Sequence, residues 1–518
     1  MTAADAAGAG GRAVPAWAAA VLVLGGVLFA ATARRPIDDP IDWREADLSA
    51  VARNFHREGM NPLYPRIDWR GDGPGYTEME PPLLSFGMAA LYPVLGEEPR
   101  VGRWLSWAAS VAALAAFLAL ARDRLSPLGA GVAGLFYAVN PLAVRVAPEI
   151  RPDTLMLLGY VAAVLFFTRW LRGGSRRDQW LALAATAFAV FAKLPALHVG
   201  LLFAVLVLRE RGPRAVRDPG LWLFAAAALV PAAAWHFHAR GVWLEYGNSL
   251  GLSNQDHFFG FDLLAQPKPL LDVLETQQAW VLPLAGVLAV AAAVALGRLQ
   301  RWREFELWWL AALAFYFFFT AATTGEEWAT YYHVVAVPLA ALLLGGAAEA
   351  FAAALRAPQR SRERRIGIAG AVLLAAALLQ TGVRTHGVLA TRGAFGEVPP
   401  HPLLACARDF AQHVTPGTPV LVSGGKCRDY AGRRISYHRP YFFYWLDTHG
   451  WQPCREEHSL EVVDGIAGRG AEYFVAERWD LHRLPGYEAE LRARYPVAAE
   501  CEAAVLFDLR PDREARPR

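Results

Sequence analysis

Asp42-Trp-Arg-Glu-Ala-Asp47 follows directly on the first membrane-length apolar segment and sets three carboxylates and one arginine beside a bilayer. Ionisable groups are costly next to hydrocarbon, so a chain that keeps them there uses them. The stretch opens a polar loop, Arg34 to Glu80, that also carries Arg66-Ile-Asp68-Trp-Arg70-Gly, Glu78 and Glu80 before Pro81-Pro82. From Asp42 to about Asn54, Trp43, Leu48, Val51, Ala52 and Phe55 recur at helical spacing, which predicts an amphipathic helix lying at the membrane interface.

Outward from this loop the chain is apolar. It has 518 residues, 55% of them hydrophobic, 18 tryptophans and a mean hydropathy of +0.22, which excludes one soluble domain. A hydrocarbon core needs roughly 20 apolar residues per crossing helix. Eleven spans are expected, near 14–33, 101–121, 128–147, 154–171, 178–193, 195–209, 220–238, 278–297, 305–323, 329–352 and 364–384. The first lacks a convincing cleavage site and is read as a retained helix. The expected class is therefore mainly α, a polytopic transmembrane helical bundle with a small extracytoplasmic C-terminal α/β domain.

Basic loops stay on the cytoplasmic side. The clusters Arg122–Arg124, Arg169–Arg177, Arg209–Arg217, Arg298–Arg303 and Arg356–Arg365 share one side if the short, proline-headed segment Pro81–Leu95 does not cross. The net charge of +3 is dispersed in such runs and offers no basic face for nucleic acid. The expected division is a cytoplasmic tail (1–13), a first helix (14–33), an extracytoplasmic loop with interfacial helices (34–100), a helical bundle (101–384), a linker (385–399), a small α/β domain (400–510) and a tail without order (511–518).

In the C-terminal segment, Pro419–Ser423, Tyr473–Glu477 and Ala504–Asp508 read as buried strands, and Leu403–Val414, Leu460–Gly468 and Tyr487–Tyr495 as helices. Gly424-Gly425-Lys426 lacks the spacing of a phosphate loop and reads as a turn. All four cysteines, Cys406, Cys427, Cys454 and Cys501, lie here, where an oxidising compartment would let them pair. Three pairings are open; a zinc site is the alternative, without the usual Cys-x2-Cys spacing.

Further polar groups gather on the side of the first loop: Glu149-Ile-Arg151-Pro-Asp153, Lys193-Leu-Pro195, Glu326-Glu327 and Thr330-Tyr331-Tyr332-His333. Pro195 explains the break in a long apolar run, since proline donates no helical hydrogen bond. Lys193 placed there either serves the site or snorkels to the interface. His198, within a span, reads as a core histidine.

The run Trp43-Arg-Glu-Ala-Asp47-Leu-Ser-Ala-Val-Ala-Arg53-Asn-Phe55, then Tyr64-Pro-Arg66-Ile-Asp68-Trp-Arg70-Gly71, Glu78-Met-Glu80-Pro-Pro82-Leu, and Gly96 with Arg103, resembles the first-loop pattern of GT-C-fold glycosyltransferases. Protein O-mannosyltransferases and lipid A aminoarabinose transferases are the relatives in view, and the resemblance extends through Arg151-Pro-Asp153, Ala192-Lys193-Leu-Pro195 and Tyr331-Tyr332-His333. Many of those proteins carry adjacent Asp-Glu in the first loop, where this chain has Arg44-Glu45.

The resemblance implies a polyprenyl-phosphate-linked sugar as donor, an extracytoplasmic hydroxyl on a lipid, glycan or protein as acceptor, and inversion at the anomeric carbon. It implies no cofactor, although the acidic cluster offers oxygen ligands for a divalent ion. Asp47 is the expected base, with Glu45, Asp42 and Asp153 as further carboxylates. Arg44, Arg66, Arg70, Arg151 and Lys193 are cationic candidates for the lipid phosphate, and Asp68, Glu78, Glu80, Tyr332 and His333 complete the substrate-binding set. At least half of the set is expected to be structural, some cations pairing with Asp47, Asp68 and Asp153 to hold the loop in shape. The expected partners are the lipid-linked donor and membrane lipids, and the expected location a bacterial inner membrane. A transporter or flippase of lipid-linked or small polar substrates is the rival class; it would place ionisable groups at midplane helix breaks with repeat symmetry.

Overall fold

A computed structural model describes residues 15–37, 43–252, 266–297, 305–359, 361–428, 432–435 and 438–510. Both predicted tails, Asp42 and the Arg298–Arg303 cluster fall outside these residues. Among the described residues, six helices are long and apolar enough to cross a membrane: Pro99–Arg124, Asp153–Gly173, Pro219–Tyr246, Phe305–Thr324, Glu327–Ala354 and Arg362–Thr391. Pro267–Val281 and Leu284–Ala295, bent by 90°, make a seventh if they form one span.

The difference from eleven has local causes. The first apolar segment forms α1 (Ala16–Ala30), shorter than a hydrocarbon core requires at 15 residues. Segment 128–147 splits into α5 (Pro127–Ala138) and α6 (Pro141–Val146), because Asn140 accepts from the N–H groups of Leu142 and Ala143 and Pro141 opens the second piece. At Lys193 the backbone turns extended between α8 (Arg176–Ala192) and α9 (Val199–Arg211), with a 3₁₀ turn from Leu194 to His198 between them. The proline break thus occurs where the sequence places it, with Lys193 at the break.

The helices that carry the first loop are α2 (Trp43–Glu58) and α3 (Leu83–Leu95), followed by α4 (Pro99–Arg124); α7 is Asp153–Gly173 and α10 Pro219–Tyr246. Every residue of α2 from Glu45 to Phe55 is buried, so it is not the half-solvated interfacial helix that its apolar stripe suggests. Its polar positions are covered too, by ion pairs and by the C-terminal domain.

That domain is a five-stranded mixed sheet. Separately from it, strands β1 (Thr77–Glu78) and β2 (Asn248–Ser249) pair in parallel. The C-terminal strands are β3 (Pro419–Val422), β4 (His449–Trp451), β5 (Tyr473–Glu477), β6 (Val497–Glu500) and β7 (Ala504–Asp508), in the order β4-β3-β5-β7-β6. β3 runs parallel to β4 and β5, while β7 is antiparallel to β5 and β6. Alternation along the strands divides the sheet's contacts. Val420, Val422, Val475 and Leu506 join Leu48, Val51, Phe55 and Met88 in one core with the first loop. Leu421, Phe474, Val505 and Phe507 pack with Val463, Ile466 and Leu491 of the outer helices.

Two disulfides, Cys406–Cys501 and Cys427–Cys454, close this domain and choose among the three pairings. The group of possible metal ligands among the described residues, Cys427, Cys454 and Glu456, has both its sulfurs in a disulfide.

First loop and sheet are also joined through backbone: Gly71 N–H donates to the Gly450 carbonyl at 2.7 Å, and Gly450 N–H to that of Asp68 at 3.0 Å. Gly450 has φ 153°, and a Cβ there would lie 1.9 Å from the Val420 carbonyl oxygen. Only glycine allows that approach.

Candidate active site

The two carboxylates near the start of α2 meet different surroundings. Glu45 accepts from Arg35 at 2.8 Å, from Arg103 at 2.9 and 3.2 Å, and from the backbone N–H of Ile150 at 2.9 Å. Arg103 in turn donates to the carbonyls of Pro36 and Pro148. Burial alone would raise the Glu45 carboxyl, but Arg103, then Arg35 and the Ile150 N–H, hold it down at about 2. Glu45 therefore ties α2 to the end of α1, to α4 and to the 148–151 turn.

Asp47 is fully buried and only half satisfied. Its Oδ1 accepts from Trp69 Nε1 at 3.0 Å, while Oδ2 has no hydrogen-bond partner among the described residues. Burial drives its carboxyl up, the Trp69 bond and Arg44 only partly oppose this, and it stands at about 7. A buried carboxyl poised near neutrality with a free oxygen fits a general base.

One turn before Asp47, Arg44 lies 3.6 Å from Glu80. Burial would lift the Glu80 carboxyl, yet Arg44 and then Lys193 keep it below its ordinary value. Lys193 donates to both oxygens of Asp153, at 3.0 and 2.8 Å, and sits over the rings of Tyr331 and Tyr332 at 4.6 and 4.5 Å. Arg151 also lies over the Tyr331 ring, 3.9 Å from its centroid, and is 3.4 Å from Glu149. The first loop, the 148–153 turn, the α8–α9 break and the Glu327–Ala336 segment thus bring Arg44, Asp47, Glu80, Arg151, Asp153, Lys193 and Tyr332 into one buried polar region.

Other expected residues have structural partners. Asp68 accepts from Arg53 at 2.6 Å and from Asn54 at 2.8 Å. Arg66 and Arg70 both pair with Glu58, at 3.0 and 2.8 Å, and among the described residues not with a loop aspartate. Glu78 takes the Ser249 hydroxyl across the β1–β2 pair. His333 is fixed between Gln277 and the Thr324 carbonyl, each at 2.8 Å. Sequence reading gave no role to Trp69, although it lies inside a quoted motif, nor to His438, whose ring stacks on Trp69 at 4.0 Å. Nothing in the local pattern around His438 marks it, because its neighbours in space come from the other end of the chain.

Residues 79–238 match the family model described as dolichyl-phosphate-mannose-protein mannosyltransferase. Among solved structures, the chain is similar to ArnT from Cupriavidus metallidurans bound to undecaprenyl phosphate, with a TM-score of 0.59 and 14% identity over 97% of this chain and 98% of that one. It is similar to the archaeal oligosaccharyltransferase AglB from Archaeoglobus fulgidus, in complex with an inhibitory peptide and a dolichol-phosphate, with a TM-score of 0.52 and 11% identity over 89% and 69% of the two chains. The arabinofuranosyltransferase AftD from Mycobacteria gives 0.50 and 16% identity, over 96% of this chain and 40% of that one. No curated protein matches the chain in sequence. The protein has the GT-C fold of membrane glycosyltransferases, the architecture that the first-loop motifs implied.

Proposed function

We propose that this chain is an integral membrane glycosyltransferase that moves a sugar from a polyprenyl-phosphate carrier to an acceptor hydroxyl on the extracytoplasmic side of a bacterial inner membrane. The observation that carries this reading is the Asp47 carboxyl, buried, near neutrality and with Oδ2 lacking a hydrogen-bond partner among the described residues, near Arg44, with Lys193 acting on the Glu80 that Arg44 faces. In the proposed step Asp47 Oδ2 takes the proton of the acceptor hydroxyl while the hydroxyl oxygen of the acceptor attacks the anomeric carbon. The bond from that carbon to the phosphate oxygen breaks, and the lipid phosphate leaves with the electron pair. Arg44 and Lys193 offset the charge that grows on the phosphate. Attack opposite the leaving group inverts the anomeric centre. This chemistry uses no cofactor: the base and the charge stabilisers are side chains. ArnT and AglB, solved with undecaprenyl phosphate and dolichol-phosphate, support a lipid-phosphate donor.

The test is incubation of the purified protein with a panel of polyprenyl-phosphate sugars and an envelope-lipid acceptor fraction. Consumption of one donor, abolished in Asp47→Asn, is expected; a folded wild-type protein that consumes none of them refutes the reading.

A further inference from the structure

The side chain that donates to Asp47 is itself packed from outside the first loop. Trp69 donates its indole N–H to Asp47, and the face of that indole stacks on His438, with centroids 4.0 Å apart and 18° between the planes. His438 belongs to the C-terminal domain. Its ring meets the edge of Trp43 at 5.5 Å, and its Nε2 lies 3.1 Å from the Ser249 carbonyl oxygen. The next residue, Arg439, is buried and pairs with Glu477 at the end of β5 and with Asp480. The backbone that presents His438 is therefore anchored to the sheet.

From this series of contacts we infer that Trp69 and His438 are positioning residues: the C-terminal domain, through the His438 ring, holds the Trp69 indole where its N–H meets Asp47, and so fixes the carboxylate that acts as base. The inference deepens the glycosyl-transfer reading and rests on it for its catalytic consequence. His438 works here as a flat ring, since burial drives its imidazole down to about 3 and leaves it neutral. An N–H donated to a carboxylate favours the charged form, so loss of the indole bond raises the pH at which Asp47 ionises. The charged groups acting on Asp47 are Arg44 on its own helix and Asp68 in the first loop. Behind Arg44 stand Glu80, Tyr331 and Tyr332, and behind Glu80 stands Lys193.

The test is a pH titration of the carboxyl C=O infrared band in full-length protein, with the Asp47 band assigned by its absence in Asp47→Asn. The wild-type midpoint is expected near 7. Trp69→Phe moves it up by about one pH unit, the size of one charge-assisted hydrogen bond. His438→Ala moves it in the same direction by less, and His438→Phe, which keeps a ring in the stack, returns it towards the wild-type value. In donor consumption, the acid limb of the rate profile moves with the band. A midpoint unchanged in Trp69→Phe, or moved in Trp69→Phe but not in His438→Ala, overturns the inference. Shifted midpoints in a protein that consumes no lipid-linked sugar would leave the positioning role standing and remove the glycosyl-transfer reading instead.

Discussion

Glu45 and Asp47 lie two residues apart on α2, and both are buried, yet they differ in every partner. Glu45 has two guanidinium groups and a backbone N–H on its oxygens, and its carboxyl sits at about 2. Asp47 has one indole N–H, an open oxygen and a carboxyl at about 7. Environments that push two neighbouring acids apart divide the labour between them. Glu45 holds the helix in place, and Asp47 is left with capacity to take a proton.

The contrast is broken most severely by Asp47→Asn, which is expected to lower the rate of sugar transfer by about 10²–10⁴-fold, the usual contribution of a general base, with donor KM little changed. Steady-state kinetics on labelled lipid-linked sugar read both numbers. Glu45→Ala should instead damage the fold. It leaves Arg103 and Arg35 facing each other in a buried site, at a cost of about 3–5 kcal/mol, seen as a lower thermal midpoint and poor recovery from detergent. Because the Glu45 carboxyl is depressed in the fold, its stabilisation is complete above about 4.5 and is lost as pH falls towards 2. The Glu45→Ala variant should lack that part of the acid transition.

The pH dependence at Asp47 has the opposite sign. Its folded carboxyl is raised from 3.8 to about 7, so keeping it ionised strains the fold progressively as pH rises between those values. Asp47→Asn is therefore expected to be more thermally stable than wild type at pH 8, by on the order of 2 kcal/mol, and to lose that advantage by pH 4. Equal thermal midpoints at both pH values would count against a strained carboxylate. The smallest effect is expected at Arg70→Gln. Its pair with Glu58 is partly exposed, so stability should change by less than about 1 kcal/mol and transfer by less than about threefold, measured by the same two assays.

How far the sequence carries depends on how local the cause is. The strand Tyr473–Glu477 and the helix Leu460–Gly468 form over the residues their periodicity indicates, because alternation and helical spacing are local signals. β4, only His449-Gly-Trp451, has too few residues to show a pattern and exists because Val420 and Leu421 pair with it. Apolar length alone gives more candidate spans than there are long unbroken helices among the described residues, because local breaks such as Asn140-Pro141 divide the segments. Among the charged residues, the expected pairing of a cation with Asp153 is met by Lys193, whereas Arg66 and Arg70 find a different partner. Arg66 and Arg70 turn to Glu58 because it projects from the last turn of α2 beside them. His438 was illegible for the same reason: its meaning depends on Trp69, far away in sequence.

The backbone bonds between Gly450 and the first loop at Asp68 and Gly71 bear on biogenesis. A ribosome delivers the first loop early and β4 only after the membrane helices have been made. During that interval Asp47 exists without the His438 ring that stacks on Trp69 and without the strand that bonds to Asp68 and Gly71. On this geometry the surroundings of the first loop are complete only once His438 and Gly450 have been synthesised and docked, so a chain truncated before them lacks both the ring on Trp69 and the backbone bonds to Asp68 and Gly71.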